Sequence, residues 1–321
     1  MGLGLLSCLK KILGFGEQPQ GPASHEASRT GKGPAVAQKP GSETSVLQPA
    51  YTVRLKPDPD WEEAPSPKDI ARPAAPGATT ETLLAWCGLT DTGMVRDHNE
   101  DYFSCTAIGE SVLFVVADGM GGHDAGEVAS KLAVETVCKE VRHSVKREHD
   151  PLKLIERALQ KANSEVVREG TSKGSNMGTT LNAALVIHDR AYVASVGDSR
   201  VYWIENGSIK QITEDHSLVA KLVSVGKLSR EEARNHPKSN LLYRTIGSEP
   251  TIKVDTFQVG LKKGGSLLLC TDGLWGEVAD EEIYRVCSAE KNVKSACVRL
   301  IRLAKENGGR DNITAVVVKV E

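Results

Sequence analysis

The 321-residue sequence predicts an α+β fold, a four-layer α-β-β-α sandwich in which two antiparallel sheets are flanked by paired helices. Apolar, β-branched runs follow one another over residues 180–213 with very short connections. Such connections favour antiparallel strands, because parallel neighbours need a longer crossover. Segments with helical periodicity occur in pairs and not between single strands. Strands in meanders together with paired helices are typical of a layered sandwich rather than of alternating βαβ units.

Each helix pair has its own sequence signals. The first pair covers about residues 124–147 and a segment after Asp150, which can cap that helix while Pro151 suits its first turn. One apolar stripe runs along this second helix, formed by Ile155, Leu159, Ala162 and Val166. The later pair covers about residues 280–287 and 293–306, and it precedes a final strand in the segment NITAVVVKV.

Proline divides the chain into two regions, since eleven of the fourteen prolines precede residue 80. Residues 16–81 are also rich in Gly, Ser and Ala, without apolar periodicity, and cannot bury enough apolar surface to offset the entropy of ordering. We predict a flexible linker over 16–81. Its one stretch with apolar content, residues 51–61, is expected to be unstructured, with a docking motif as the alternative. Residues 82–321 are long enough for one domain with a sizeable core.

The first fifteen residues differ from the linker that follows them. Their apolar side chains lie on one side at helical spacing, and these are Leu5, Leu6, Leu9, Ile12 and Leu13. Lys10 and Lys11 lie on the other side. A short amphipathic helix of this kind can lie on an anionic membrane surface. The alternatives are a helix that docks on a protein and a segment that stays loose.

Composition excludes several classes of protein. The net charge of −2 argues against a nucleic-acid partner, because such proteins usually carry a basic excess. The seven cysteines are scattered and form no C-x-x-C pair, which fits a reducing, cytoplasmic setting. No apolar run approaches the ~20 residues that cross a bilayer. We expect a cytoplasmic monomer, with peripheral membrane contact through residues 1–15.

Acidic residues recur at the ends of predicted strands, each beside Gly, Ser or Asn. The apolar run 112–117 ends in Asp118-Gly119, and the run before Asp272 ends in the same way. The other acidic residues of this kind are Asp198, Asp311, Glu100 and Asp101. Strand ends of one sandwich can converge on one edge, and a carboxylate that follows a buried strand needs a counter-charge. We therefore predict that these side chains meet at one site.

Clustered carboxylates indicate a site for hard divalent cations, because Mg²⁺ and Mn²⁺ prefer oxygen ligands. Two such ions about 4 Å apart can share a carboxylate and generate a nucleophile from water near neutral pH. Arg96 is the candidate for binding a phosphate in its planar fork. Asp198 has an alternative role, tying its own turn with Arg200 as its partner.

Other phosphate-binding patterns do not fit the sequence. The segment GSNMGTT lacks the Lys of a P-loop, and GMGGHD lacks the third Gly of a dinucleotide fingerprint. Eight motifs, in contrast, occur in the order of a known family: GMVRDHNED, VADGMGGHDAGEVAS, MGTTLNAALV, VGDSRVYW, ITEDHS, YRTIGSEP, LCTDGLW and GGRDNITAVVV. Across residues 84–321 the chain resembles the metal-dependent type 2C Ser/Thr protein phosphatases in their bacterial form.

The resemblance implies a role for each candidate residue. Asp118 bridges two metal ions, Mn²⁺ or Mg²⁺, with the Gly119 carbonyl on one of them. Asp272 and Asp311 complete the other metal site, and Asp198 is the ligand of a third, weaker ion. The remaining implied roles are water-mediated metal binding by Glu100 and Asp101 and phosphate binding by Arg96. Residues 82–321 are then a phosphatase catalytic domain in which a metal-bound hydroxide attacks phosphorus directly.

Two parts of the resemblance concern the surroundings of the site. Residues from about His216 to Tyr243 correspond to a mobile flap, partly helical because Ser229 and Glu232 form a capping box. Met120 stands where animal members often place a His, so the acid for the leaving group is open. His123 is a neighbouring candidate, and a turn residue is the favoured interpretation of it.

The resemblance also implies the biological role. We expect a phosphatase that hydrolyses phosphoserine and phosphothreonine in proteins and counteracts Ser/Thr kinases in signal transduction. Its partners are then phosphorylated proteins, among them such kinases and their substrates. One alternative is a phosphatase for an anti-sigma-antagonist-type phosphoprotein. Another is a non-catalytic phosphoprotein-binding scaffold, which the full set of carboxylates disfavours.

Overall fold

A computed structural model of the chain describes residues 45–55, 82–122, 125–234 and 236–321. The predictions for residues 1–15 and for His123 lie outside these ranges. Every described residue belongs to one compact unit, which spans residues 43–321. Within the described ranges, no helix combines the length and the apolar character needed to cross a membrane.

Two sheets form the centre of the molecule, and their strand pairs are antiparallel. The first sheet has the order β1-β3-β13-β12-β9-β10, with β2 also on β3. Its strands are β1 (Ser45–Leu47), β2 (Tyr51–Leu55), β3 (Thr82–Asp91), β9 (Arg200–Glu205), β10 (Ser208–Gln211), β12 (Ser266–Cys270) and β13 (Ile313–Val320). The second sheet has the order β11-β8-β7-β5-β4, with β6 also on β5. Its strands are β4 (Asp101–Ile108), β5 (Ser111–Met120), β6 (Gly178–Thr179), β7 (Leu181–Ile187), β8 (Arg190–Val196) and β11 (Asp255–Gly260).

Paired helices cover the outer face of each sheet. The second sheet carries α1 (Ala125–Ser144) and α2 (Pro151–Lys173), and the first carries α6 (Asp280–Ala289) and α7 (Val293–Glu306). Three shorter helices lie in connections: α3 (Leu218–Ser224), α4 (Arg230–Arg234) and α5 (Asp272–Trp275). One apolar layer separates the two sheets, and one lies between each sheet and its helices. The predicted four-layer sandwich is confirmed.

The signals at the start of α2 operate as predicted. The Asp150 side chain accepts hydrogen bonds from the backbone N–H groups of Leu152 and Lys153, and Pro151 lies in the first turn. The four residues of the predicted apolar stripe are fully buried against the second sheet. The helix ends at Gly174, whose left-handed φ of 60° lets its N–H reach the last turn.

The predicted antiparallel pairing of the strands in residues 180–213 holds for two of the three connections and is wrong for the middle one. β7 pairs with β8 and β9 pairs with β10, but β8 and β9 lie in different sheets. The short connection between them crosses the sandwich. It can do so because Gly197 adopts a φ of 103° that other residues disfavour, and an added Cβ there would lie 2.6 Å from the Thr180 side chain. This crossing places Asp198 between the two sheets.

A second difference lies inside the predicted linker. β1 and β2 pair with β3, so the expectation of an unstructured segment is wrong for residues 45–47 and 51–55. The physical reason is that Val53 and Leu55 reach the apolar layer between the sheets, where Leu55 is fully buried. Residues 48–50, between the two strands, are in neither helix nor strand, and the remaining linker residues lie outside the described ranges.

Candidate active site

Two neighbouring strands of the second sheet place the first pair of carboxylates together. Asp101 begins β4 and Asp118 lies near the end of β5, and the two residues are direct cross-strand partners. The backbone of Asp118 is fixed on its other side by Thr180, whose hydroxyl accepts from the Asp118 N–H at 2.9 Å. The Asp118 carbonyl accepts from the Thr180 N–H at 2.8 Å and from the Thr179 hydroxyl at 2.8 Å.

Asp101 is buried, with one oxygen bonded and one without a partner. Its Oδ2 accepts hydrogen bonds from the hydroxyls of Thr271 at 2.8 Å and Thr314 at 2.7 Å. Its Oδ1 accepts no hydrogen bond from the described part of the chain. Burial raises the pKa of Asp101 to about 8, and the charge of Asp272 also raises it, against the two threonine hydrogen bonds. A buried carboxylate oxygen of this kind needs a cation or a proton.

Asp272 comes from the first sheet, at the start of the single turn α5 after β12. Burial raises its pKa to about 6, and the charge of Asp311 adds to that effect. A hydrogen bond with the Asp118 carboxyl lowers the pKa of Asp272. Its Oδ1, like that of Asp101, is buried and accepts no hydrogen bond from the described residues. The Asp118 and Asp272 carboxyl groups therefore lie close enough to interact, although one comes from a strand of the second sheet and the other follows a strand of the first.

Mutual repulsion among the carboxylates extends across the whole group. Burial raises the pKa of Asp118 well above its usual range, and four neighbouring carboxylates raise it further: Asp272, Asp101, Asp198 and Asp311. The pKa of Asp198 is also raised well above its usual range, by burial first and then by Asp272 and Asp215. The structure thus brings the predicted aspartates close enough for the charge of each to raise the pKa of its neighbours.

Arg96 and Asp311 form an ion pair at the open side of the group. Arg96 Nη2 donates to Asp311 Oδ2 at 2.8 Å, and the Arg96 side chain remains 47% exposed. Burial lowers the pKa of Arg96, but Asp311, Glu100 and Asp118 together raise it above its usual value. The guanidinium therefore faces three carboxylates and stays accessible to a phosphate from solvent.

Glu100 and Gly119 lie next to the Arg96–Asp311 ion pair and contact each other through their backbones. The Glu100 carbonyl accepts from the Gly119 N–H at 3.0 Å, and a Cβ on Gly119 would lie 2.2 Å from the Gly126 carbonyl oxygen. The Glu100 carboxylate accepts a hydrogen bond from the Gly126 backbone near the start of α1. Burial raises the pKa of Glu100 in spite of the opposing charge of Arg96. Only glycine fits at position 119.

Asp198 is held through its backbone rather than by Arg200. The indole Nε1 of Trp275 donates to the Asp198 carbonyl at 3.1 Å. Arg200 instead makes a forked ion pair with Asp215, at 2.7 Å for its closest contact, and its guanidinium stacks on the Trp275 ring at 3.6 Å. The predicted alternative, in which Arg200 partners Asp198, is therefore wrong. The Asp198 carboxylate is left facing Asp272.

His216 joins the predicted flap to the Asp198 turn. The His216 N–H donates to the Gly197 carbonyl at 3.0 Å, and its ring Nδ1 accepts from the Gly197 N–H at 3.0 Å. The His216 carbonyl accepts from the Tyr243 N–H at 2.9 Å, which closes the base of the flap. Inside the flap, Ser229 and Glu232 exchange the hydrogen bonds of a capping box at the start of α4, as predicted.

Several residues that organise the site lie inside the family motifs but are not among the predicted site residues. Asn312 donates to the carbonyls of Thr92 and His98 and accepts from the Glu100 N–H at 2.8 Å, so it joins the Arg96 loop to the Asp311 segment. Thr271 and Thr314 hold Asp101. The only signal for these residues is their position beside Asp272 and Asp311. Nothing in the periodicity distinguishes them from ordinary sheet residues.

The carboxylates are not arranged as a complete coordination shell for a metal ion. Within the described ranges, no three His, Cys, Asp or Glu side chains converge on one point closely enough to hold a metal ion. The fit to a hard divalent cation rests instead on the chemistry of the donor set. Its side-chain donors are carboxylate oxygens, two of which are buried and accept no hydrogen bond from the described residues. The pKa values of these two carboxyl groups are raised by burial and by the charge of neighbouring carboxylates. A divalent cation would remove that repulsion.

Comparison with known sequences defines the class of the protein. The family described as protein phosphatase 2C matches residues 95–316. A serine/threonine phosphatase stp of Listeria monocytogenes is 39% identical over 236 residues, which covers 72% of this chain and 93% of the relative. The chain belongs to the protein phosphatase 2C family.

Solved structures agree with this assignment. The Mycobacterium tuberculosis serine/threonine phosphatase PstP/Ppp has a TM-score of 0.68 and 35% identity, and covers 74% of this chain and 99% of its own. A structure of the PstP catalytic domain in complex with two manganese ions has a TM-score of 0.66 and 34% identity, with coverage of 74% and 98%. This protein is a serine/threonine protein phosphatase of the metal-dependent class.

Proposed function

We propose that the carboxylate group holds two Mn²⁺ or Mg²⁺ ions and uses them to hydrolyse phosphoserine and phosphothreonine in proteins. Asp118, Asp272 and Asp311 would hold the two ions together with the Gly119 carbonyl. Asp198 would hold a third, and Glu100 and Asp101 would act through bound waters. The observation that carries this proposal is a pair of buried oxygens, Oδ1 of Asp101 and Oδ1 of Asp272, which accept no hydrogen bond from the described residues.

The chain's own residues supply the binding side of the reaction. When bound, the cations lower the pKa of water and make it a nucleophile near neutral pH. Arg96 lies at the open side of the carboxylate group and forms an ion pair with Asp311. A phosphate is also an anion, so the Arg96 guanidinium can bind it in place of the Asp311 carboxylate. Asn312 fixes the loop that carries Arg96 relative to Asp311. Phosphate and metal sites are thereby held by one hydrogen-bonded unit.

The two ions of the PstP structure support the number of ions proposed here. The proposal of a third ion rests on Asp198, whose pKa is raised by burial and by the charges of Asp272 and Asp215, more than the charge of Arg200 lowers it. We further infer that the partners are phosphorylated proteins and the Ser/Thr kinases that modify them. No feature of the described residues favours an anti-sigma-antagonist-type substrate over these.

The proposal is tested by metal-dependent turnover of a phosphothreonine peptide by the full chain. We expect activity with Mn²⁺ that EDTA abolishes, and a loss of about a thousandfold or more in kcat for Asp118→Asn and Asp272→Asn. Asp97→Asn is the matched control, since Asp97 is an exposed aspartate of the same loop as Arg96. Unchanged kcat in both site variants would overturn the assignment of the metal ligands.

A further inference from the structure

The residues ahead of the catalytic domain form an arm along one edge of the first sheet. We define the arm as residues 45–55, that is β1, β2 and the three residues between them. Both strands pair antiparallel with β3, and the Gln48 N–H bridges the gap by donating to the Gly88 carbonyl at 3.0 Å. The arm precedes the residues that match the family, 95–316.

Apolar contacts fix the arm at one end. Leu55 is fully buried in the layer between the sheets, and Val53 packs against the same layer. The Tyr51 ring lies over Trp86, with ring centroids 5.8 Å apart. On the opposite face of the sheet, Leu47 packs against the apolar layer under α7. These contacts place the arm as an integral edge strand rather than as a loosely attached one.

The other end of the arm meets a buried carboxylate. The Ser45 hydroxyl donates to Asp91, which is only 2% exposed. The same carboxylate accepts from Lys305 Nζ of α7 at 3.0 Å to each oxygen and from the Gly93 N–H at 2.8 Å. Ser45 and Leu47 also form one wall of an open groove that reaches Met94. Asp91 therefore joins the arm, α7 and the loop after β3.

That loop carries the phosphate-binding candidate. Gly93 has a φ of 82°, and a Cβ on it would lie 2.1 Å from the Asp311 carbonyl oxygen. The next residue, Met94, donates its N–H to the Gly309 carbonyl at 2.7 Å, and Arg96 follows with its ion pair to Asp311. A displacement of Gly93 would move the start of the Arg96 loop. The bond from Asp91 to the Gly93 N–H holds that start in place.

We propose that Ser45 is a positioning residue for phosphate binding, and that the arm sets the geometry of the Arg96 loop through the chain Ser45–Asp91–Gly93. The inference rests on the proposed role of Arg96. With the hydroxyl on Asp91, the carboxylate is aligned for the Gly93 N–H and the loop is fixed. A negative charge at position 45 would face the Asp91 carboxylate directly, separate β1 from β3 and loosen the loop.

The test uses the full chain and three variants. Ser45→Asp places a charge against Asp91, Ser45→Thr keeps the hydroxyl, and Val46→Asp adds the same charge on a side chain that is 61% exposed. Backbone hydrogen exchange is measured at residues 45–47 and 93–94, together with kcat and KM for a phosphothreonine peptide. Backbone hydrogen exchange does not depend on catalytic turnover. A wild-type chain without activity would refute the proposed function, while the hydrogen-exchange data would still decide whether the arm is coupled to the Arg96 loop.

For Ser45→Asp we expect exchange at both segments to rise about tenfold and KM to rise about fivefold, with kcat within about twofold of wild type. Ser45→Thr and Val46→Asp should match wild type in all three measurements. Faster exchange at 45–47 with unchanged exchange at 93–94 would overturn the proposal. So would unchanged exchange at 45–47, because β1 would then not depend on the bond to Asp91.

Discussion

Single residues decide how charge is balanced at the site, and the clearest case is Asp101. Its position beside Asp118 follows from strand pairing, but the two threonine hydroxyls on its Oδ2 come from strand ends far away in sequence. The sequence predicts that such carboxylates meet, because each follows or begins an apolar run. It cannot predict which oxygen is bonded, since that depends on side chains brought together only by the packed sheets.

The raised pKa values give the metal-free chain a defined pH dependence. The folded-state pKa of Asp101 is about 8 and that of Asp272 about 6, against a usual 3.8 for each. A carboxyl whose pKa is raised by folding stabilises the fold while protonated, and this contribution is lost as pH rises from about 4 towards 8. The urea midpoint in EDTA should therefore be lower at about pH 8 than at about pH 5.5.

Two controls accompany the unfolding measurement. Excess Mn²⁺ should raise the midpoint more at about pH 8 than at about pH 5.5, because protons and the cation compete for the same oxygens. Asp101→Asn should flatten the pH dependence in EDTA, since the amide does not titrate. A midpoint in EDTA that stays level or rises over this range in the wild-type chain would contradict the assigned direction of the pKa shifts.

Removing one carboxylate should also separate stability from function. Asp118→Asn eliminates repulsion with four other carboxylates, so we expect the Tm of the metal-free chain to rise by roughly 2–4 °C. The same variant should gain less Tm from added Mn²⁺ than the wild type does. Differential scanning calorimetry with and without Mn²⁺ measures both effects. A Tm in EDTA that is lower for Asp118→Asn than for the wild type would show that the neighbouring carboxylates do not repel Asp118 in the folded chain.

Among the elements, helices were the most predictable, and α2 shows why. Its cap, its first-turn proline and its apolar stripe are all local in sequence. Strand partners were less predictable, because the connection at Gly197 is as short as a hairpin and yet crosses between sheets. The β1 and β2 strands escaped prediction for another reason. Their support comes from a free edge of β3, which composition does not reveal.

The cap of α2 allows a direct test at this scale. Asp150→Ala removes the acceptor for two backbone N–H groups, and we expect a cost of about 1 kcal/mol in the free energy of unfolding. Chemical unfolding of the Mn²⁺-free chain gives that value. Lys161→Ala, on the exposed side of the same helix, should change it by less than about 0.5 kcal/mol. Equal changes in the free energy of unfolding for the two substitutions would show that the Asp150 cap does not stabilise the helix.

The flap should depend on His216 for its attachment. His216→Ala removes the side-chain acceptor for the Gly197 N–H, so the flap base loses a buried hydrogen bond beside the Asp198 turn. We expect trypsin to cleave between residues 217 and 242 about tenfold faster, because local opening becomes easier. Val225→Ala, an exposed substitution inside the flap, serves as the control. Matching cleavage rates in both variants would show that the flap is held elsewhere.

In the whole molecule, the layered arrangement explains why residues spread from Arg96 to Asp311 meet. The two sheets pack face to face, and β4, β5, β12 and β13 present the ends that carry Asp101, Asp118, Asp272 and Asp311 at one edge. The sequence predicts the layers because periodicity and connection length are local signals. Their position at the ends of apolar runs predicts that the carboxylates meet, but only the motif order shared with the family indicates which ones share a metal ion, since spacing alone does not fix which strand ends coincide.

The number of Mn²⁺ ions held by the full chain tests the central claim most directly. Equilibrium dialysis with elemental analysis should find about two tightly bound ions per wild-type chain and fewer than about one in a chain that carries both Asp118→Asn and Asp272→Asn. Circular dichroism of that double variant confirms its fold in the same samples. Equal Mn²⁺ binding by the two folded chains would contradict the assignment of these carboxylates as the metal site.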